Sequence, residues 1–90
     1  MKKINLFHYP KLIEILKYLY INKKNRVSDI SKKCNIQYSY VSLKLKYLKE
    51  VELVTKEEIG RETFVKLTDL GMEIARRIYE IDEIIKGQGK

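Results

Sequence analysis

The stretch NIQYSYVSLKLKYLKE at residues 35–50 most constrains the fold, because its apolar residues fit two different periods. In its middle, SLKLKY alternates polar and apolar residues, which is typical of a half-buried strand. At about 100° per residue, however, Val41, Leu45 and Leu48 lie within about 60° of one another and form one buried face. Tyr47 and Leu48 also interrupt the alternation. The stretch is therefore predicted to be a helix.

The helical interpretation leaves one apolar residue, Leu43, pointing away from the core. It shares the outward face with Ser39, Ser42, Lys46 and Glu50. A surface of lysine, serine and an isolated leucine suits contact with a partner better than packing inside the protein.

Two further helices are predicted before this one. Pro10 fits the first turn of a helix, because its missing N–H would be unsatisfied there. The helix then carries an apolar stripe wider than one packing surface needs, made of Leu12, Ile13, Ile15, Leu16, Leu19 and Tyr20. After the polar turn NKKNR at 22–26, a short strand leads through Val27 to Ser28, which is predicted to cap a short second helix with Asp29 in its first turn.

The segment after residue 50 predicts a hairpin and a long last helix. ELVTKE and TFVKLT are rich in strand-forming residues and flank EIGRE, where Gly60 favours a turn. Thr68 is predicted to cap the final helix. Along that helix, an apolar seam with heptad-like spacing is formed by Ile74, Ile78, Ile81 and Ile85. Glu73 with Arg77 and Arg76 with Glu80 form exposed i,i+4 pairs.

Size and composition favour one small, ordered domain. Ninety residues can bury one modest core, and 44% hydrophobic with 34% charged residues is typical of a soluble protein. The lone Cys34 cannot form an internal disulfide, and it resembles a small core residue more than a redox switch. With one histidine, His8, no ligand set for a metal is apparent, so no cofactor is expected. Neither a membrane span nor a signal peptide is evident, so a cytoplasmic location, on the nucleoid or in a host cell, is expected.

The net charge of +7 is unevenly distributed. Residues 1–50 contain 12 Lys and Arg against three Asp and Glu, a charge of +9, whereas residues 51–90 carry a charge of −2. The positive half contains the helix at 38–50, as a polyanion-binding surface would require.

The order helix, short strand, helix, turn, helix, hairpin, helix predicts an α+β, mostly helical fold, a winged helix-turn-helix. VSDISKKCNIQYSYVSLKLKYLKEVELV followed by GRETFVKLTDLG resembles MarR-like regulators and small archaeal or archaeal-virus winged-helix proteins. The resemblance covers roughly residues 10–85. It implies one winged-helix domain over 1–90, with the helix-turn-helix at about 28–50, the wing at about 53–67 and a dimerisation helix at about 68–86.

The resemblance implies a DNA-binding homodimer with the third helix in the major groove and the wing beside or in the minor groove. The residues expected to contact DNA are Gln37, Tyr38, Ser39, Tyr40, Ser42, Leu43, Lys44, Lys46 and, in the wing, Arg61. Tyr40 has an alternative, which is to pack with Tyr47 against the first helix. The chain departs from the family at Asn35 and Glu52, where glycine is usual, and Glu57, Glu58 and Glu62 make the wing more acidic.

Dimerisation is expected to bury the isoleucine seam together with residues near the N-terminus. The interface residues expected are Leu6, Phe7, Ile13, Ile74, Ile78, Ile81 and Ile85. The favoured function is a sequence-specific transcription repressor acting on double-stranded DNA. The alternatives are a non-specific architectural DNA-binding protein and a protein-interaction module. An enzyme fits poorly, because no catalytic arrangement or phosphate loop is recognisable.

Overall fold

A computed structural model of the chain describes residues 6–23 and 25–88, apart from the side chains of Phe7 and Gln88. After a short 3-10 turn at Leu6–His8, four helices and three strands follow one another. They are α1 (Pro10–Ile21), β1 (Asn25–Arg26), α2 (Val27–Cys34), α3 (Tyr38–Glu50), β2 (Val54–Ile59), β3 (Glu62–Leu67) and α4 (Asp69–Gln88). The stretch with two possible periods is a helix, as predicted.

The strands form one antiparallel sheet in the order β1-β3-β2. The predicted hairpin is β2 and β3, in which Val54 pairs with Leu67 and Ile59 with Glu62, and Gly60 turns the chain with a positive φ of 65°. The short strand β1 adds a third strand, because Asn25 pairs with Val65 on the other side of β3. The wing is thus a small sheet anchored to the start of the helix-turn-helix.

The core lies where α1 meets the other helices and the inner face of the sheet. Fully buried aliphatic side chains come from α1 and α3 at the spacing that a helix requires. They include Leu12, Ile15, Leu16, Leu19, Val41, Leu45 and Leu48, joined by Ile30, Val65 and Ala75. Burial at this density holds α3 firmly with one face inward, so its opposite face is fixed toward solvent.

The start of α2 corrects one prediction. Ser28 does not cap this helix; it is the second helical residue, and Arg26 occupies the capping position. The Asp29 carboxylate accepts the backbone N–H of Arg26 at 3.1 Å, which lets the helix begin two residues earlier than a serine cap would allow. Thr68 does cap α4 as predicted, since its hydroxyl oxygen accepts the N–H of Gly71 at 3.0 Å.

Both helices of the helix-turn-helix end in a left-handed residue. Asn35 follows α2 with φ 55°, and Glu52 follows α3 with φ 64°. At the second end, the N–H of Leu53 donates to the carbonyl of Leu48 at 2.9 Å, which closes the helix in a Schellman motif. The departures from glycine noted in the sequence therefore fall at the two positions where glycine is most favourable.

Gly71 allows the start of α4 to approach the strand entrance. A Cβ at this position would lie 1.9 Å from the backbone oxygen of Leu53. The side-chain hydroxyl of Thr68 adds a second link, because it donates to the carbonyl of Glu52 at 2.7 Å. The last helix is thereby fixed against the end of α3. No helix among the described residues is both long and apolar enough to cross a membrane.

Candidate nucleic-acid interface

The outward face of α3 is the most distinctive surface of the molecule. Leu43 lies at its centre with 61% of its surface exposed, while Val41, Leu45 and Leu48 on the opposite face are fully buried. Ser39, Lys46 and Glu50 are exposed around it and Ser42 is half-buried. The helix therefore presents one apolar group among short polar and basic side chains, a surface that can reach into a groove lined by base edges and thymine methyl groups.

Gln37 and Tyr38 lie at the N-terminal end of this face. Gln37 occupies the capping position of α3 without a side-chain hydrogen bond to the helix, and both residues are exposed. Tyr38 has 56% of its surface accessible. In a helix that enters a groove with its first turns, such side chains reach base edges or the flanking phosphates first.

Tyr40 and Lys44 lie on one flank of α3 rather than at the centre of the outward face. Tyr40 is half-buried and packs against the hydrophobic core, as does Tyr47. The Lys44 ammonium sits 5.3 Å from the centre of the Tyr40 ring and 4.9 Å from the centre of the Tyr9 ring. Lys44, one of the residues expected to contact DNA, is therefore held by two aromatic rings.

A groove of about 400 Å³ runs between this flank and the segment preceding α1. It is lined by Tyr9, Leu43, Lys44, Lys46, Tyr47 and Glu50. Leu43 and Lys46 belong to the outward face as well, so the groove is continuous with it. Tyr9 was not singled out in the sequence, since no local pattern brings residue 9 beside residue 44.

A second, polar depression lies on the opposite flank of α3, where the helix-turn-helix meets the wing. It is lined by Arg26, Val27, Ser28, Tyr38, Arg61, Glu62 and Thr63. Arg61 is exposed beside Gly60 in the hairpin turn. The structure thus brings Arg61 and Tyr38 together around one depression, although they are 23 residues apart in the sequence.

Arg26 is a member of this depression that the sequence analysis missed. Its guanidinium donates to Glu62 at 2.7 Å and to Asp29 at 3.2 Å and 3.3 Å, which links α2 to β3. These hydrogen bonds lower the pKa of the Asp29 carboxyl and raise the pKa of Arg26. The carboxylate of Glu62, next to Arg61 in the chain, is therefore paired with Arg26, and this pairing offsets one negative charge of the wing. The only sequence signal was a basic residue immediately before a helix.

The surface predicted for dimerisation is a separate groove between α1 and α4. It is lined by Ile13, Lys17, Ile78, Ile81, Asp82 and Ile85. Ile81 and Ile85 are 51% and 63% exposed, whereas Leu6, Ile74 and Ile78 pack partly against the core. The Phe7 side chain lies outside the described part of the structure.

A salt bridge closes one edge of this groove. The Lys17 ammonium lies 3.0 Å from the Asp82 carboxylate, and Lys86 approaches the same carboxylate at 3.3 Å. Hydrogen bonds from these two lysines lower the pKa of Asp82.

Cys34 is half-buried against the core, and burial raises the pKa of its thiol. Within 6–23 and 25–88, no three His, Cys, Asp or Glu side chains are grouped so that they could hold a metal ion.

Comparison with known proteins identifies the family and the fold. A family model described as a winged helix DNA-binding domain matches residues 11–71. A relative from Archaeoglobus fulgidus, described as an uncharacterized protein, is 33% identical over 89 residues, covering 94% of each chain. A crystal structure from the same organism is also 33% identical, covers 93% of this chain and 97% of that chain, and superposes with a TM-score of 0.81.

The neighbours among solved structures include MarR-family regulators. A MarR family transcriptional regulator from Silicibacter pomeroyi has a TM-score of 0.80 at 19% identity, with 87% of this chain and 57% of that chain covered. MepR, a transcription regulator of a Staphylococcus aureus multidrug efflux pump, has a TM-score of 0.78 at 21% identity, with 87% and 60% covered. At these identities the likeness establishes the fold alone, which is the winged-helix fold that these regulators also have.

Proposed function

Because this chain belongs to the winged helix DNA-binding domain family, we propose that it is a sequence-specific transcription regulator that binds double-stranded DNA as a homodimer. The observation that carries the proposal is the outward face of α3, where Leu43 stands exposed among Ser39, Ser42 and Lys46. A purely phosphate-binding surface gains nothing from an exposed leucine. A surface that reads bases gains apolar contact with a thymine methyl group.

In this proposal α3 enters the major groove, with Gln37, Ser39, Ser42, Leu43 and Lys46 facing base edges. The two flanks of the helix face the strands that border the groove. Tyr38 and Arg61 approach one strand from the wing side, and Lys44 approaches the other from the α1 side. Phosphate contacts on both flanks would set the orientation of the helix, while the central face would determine sequence preference.

The homodimer is proposed to form through the groove between α1 and α4. Two isoleucines there, Ile81 and Ile85, are exposed in the described part of the structure, and a second copy would bury them against its own equivalent surface. A two-fold axis near α4 would direct two α3 helices toward successive major grooves, about 34 Å apart. The preferred site is then an inverted repeat. A dimer bound at a promoter would repress transcription by blocking access to it. The proposed location is the cytoplasm.

Selection from a pool of random duplexes at two salt concentrations tests the proposal. Enrichment of an inverted repeat with half-sites about one helical turn apart is expected at both concentrations. Binding that falls steeply with salt without any enrichment would replace the proposal by a non-specific architectural role, which the +9 charge of residues 1–50 favours. Absence of binding at low salt would leave the winged helix as a protein-interaction module.

A further inference from the structure

The two tyrosine rings around Lys44 carry an inference about one edge of the DNA interface, and this inference rests on the proposed function. We propose that the groove between Tyr9 and α3 is a binding site for a DNA backbone phosphate, in which Lys44 is the cationic ligand and Tyr9 is a positioning residue. Neither the family match nor the structural neighbours assigns a role to Tyr9, which lies before the matched residues 11–71.

The geometry around Lys44 differs from that of an ordinary surface lysine. Its ammonium lies within 5.3 Å of the centres of both rings, inside the range of about 6 Å at which a cation is attracted to an aromatic face. A free lysine side chain loses rotamer entropy when it is fixed in a complex. Because Lys44 is already confined by the rings, it loses less of this entropy when a phosphate binds.

The rings leave the ammonium able to bind an anion. A lysine ammonium has three N–H donors, and attraction to a ring face requires no acceptor atom. No carboxylate is paired with Lys44 in the described structure, in contrast to Lys17, which lies 3.0 Å from Asp82. The charge of Lys44 is therefore available to the groove, whose wall also includes the positive charge of Lys46 and the negative charge of Glu50.

The two tyrosines are anchored independently of each other. Tyr40 is packed against the core from within α3. Tyr9 is held by the backbone at the start of α1, where its N–H donates to Leu6 and its carbonyl accepts the N–H groups of Leu12 at 2.9 Å and Ile13 at 3.3 Å. Tyr9 is thus the N-cap residue of α1, fixed by these backbone hydrogen bonds, and its ring lies against Lys44 at the flank of α3.

The position of the groove identifies a backbone phosphate as its ligand. Its wall includes Leu43 and Lys46, which belong to the outward face of α3, so DNA placed on that face brings one strand to the groove. Phosphates border the major groove on both sides, and a lysine on the flank of a helix in that groove meets them before it meets a base. Lys44 is then a contact that does not depend on sequence.

The experiment measures the affinity of the full-length protein for a fluorescent 30-base-pair duplex of random sequence across a series of salt concentrations. Lys44→Met should weaken binding about 5- to 10-fold and reduce the slope of log K against log salt by about 0.9 for each phosphate that the variant no longer neutralises. The matched control is Lys23→Met. Lys23 also lies over a tyrosine, 5.1 Å from the Tyr20 ring centre, but on the side of α1 that faces α4, so its replacement should change the slope little.

The role of Tyr9 is tested by a double-mutant cycle with the same duplex. Tyr9→Leu should weaken binding about 3-fold in the wild-type background and have no effect in the Lys44→Met background, since there is no ammonium left to position. Tyr9→Phe retains the ring and should bind like wild type. Thermal unfolding of each variant checks that the fold is intact.

The outcomes separate this inference from the proposed function. If the wild-type protein binds but Lys44→Met behaves like Lys23→Met, the phosphate site is wrong and DNA binding stands. If Tyr9→Leu weakens binding equally in both backgrounds, Tyr9 does not act through Lys44 and its positioning role is overturned. If the wild-type protein does not bind the duplex at any salt concentration, the proposed function fails and this inference fails with it.

Discussion

Helices α3 and α4 both bury one face and expose aliphatic side chains on another, yet their exposed faces differ. On α3 the single Leu43 is surrounded by serine and lysine, whereas α4 exposes Ile81 and Ile85 along one groove beside Ile78. An isolated leucine among polar groups suits a mixed surface such as a DNA groove. A row of isoleucines suits another apolar surface.

The difference shows that hydrophobic exposure alone does not identify a partner. The neighbours of the exposed residue, their charge and their spacing make that distinction.

The two helices are held together by one junction, in which Gly71 and Thr68 contact the backbone between α3 and β2. The following changes test the comparison, beginning with the largest expected effect.

Ile85→Glu should convert the proposed dimer to a monomer. Burying an unpaired carboxylate in an apolar interface costs about 3 kcal/mol or more, which is at least about 100-fold in the dimer dissociation constant. Sedimentation equilibrium measures it. Ile84→Glu is the matched control, since Ile84 is equally exposed at 63% but does not line the groove. If both variants sediment as dimers, α4 does not hold the interface.

Ile78→Glu is a less clear test of the same interface. Ile78 packs partly against the core of its own chain, so this substitution would also lower the stability of the monomer.

Gly71→Ala should lower the free energy of unfolding by about 2–3 kcal/mol, because the new Cβ would lie 1.9 Å from the Leu53 carbonyl oxygen and force the backbone apart. Chemical denaturation gives the value. Gly87→Ala, in the same helix, has no atom within 4 Å of the new Cβ, and should leave stability unchanged or raise it by up to about 1 kcal/mol. Equal stability of the two variants would mean that the α4 junction can relax.

Leu43→Ala should weaken binding to the selected site about 5- to 20-fold and binding to random duplex by less than about 2-fold, since the methyl contact exists only at the preferred bases. Fluorescence anisotropy with both duplexes provides the comparison. Leu70→Ala removes another exposed leucine, on α4, and should affect neither duplex. An equal effect on both duplexes would remove Leu43 from the residues that read bases.

Glu52→Gly should raise the free energy of unfolding by roughly 0.5–1 kcal/mol. A left-handed residue with a side chain costs about 1–2 kcal/mol, and the greater freedom of glycine in the unfolded chain offsets part of the gain. Asn35→Gly should stabilise less, because asparagine tolerates the same conformation. If Glu52→Gly lowers the free energy of unfolding, the contacts of the glutamate side chain stabilise the fold by more than its left-handed backbone destabilises it.

The smallest expected effect is a loss of stability at low pH. Hydrogen bonds from Arg26 lower the pKa of Asp29, so the stability from this pair is present above the pKa of Asp29 in the unfolded chain and is lost as pH falls through the lower folded pKa. Carboxyl NMR titration of Arg26→Gln should show the Asp29 midpoint moved up. Asp82, whose pKa is lowered by Lys17 and Lys86, should not move. An unchanged Asp29 midpoint would exclude Arg26 as the cause.

Local patterns in the sequence were sufficient to predict the helices and the hairpin. The spacing of Val41, Leu45 and Leu48 established that α3 is a helix, and the same spacing left Leu43 exposed. Pro10 and Thr68 begin their helices as predicted, because each acts on backbone groups within one turn. The cap of the second helix was predicted wrongly. The Asp29 carboxylate accepts the backbone N–H of Arg26, so the helix is capped at Arg26 and Ser28 lies inside it.

Contacts between distant parts of the chain were decided only by the tertiary structure. Arg26 and Glu62 are 36 residues apart, and Tyr9 and Lys44 are 35 apart, so neither pair leaves a periodic signal. The pairing of β1 with β3 and the approach of Gly71 to Leu53 have the same origin. Helical and strand periods arise from backbone geometry and are written locally in the sequence. Which flank of α3 receives Tyr9 or Arg26 depends on how the packed core orients α1, α2 and the wing around that helix.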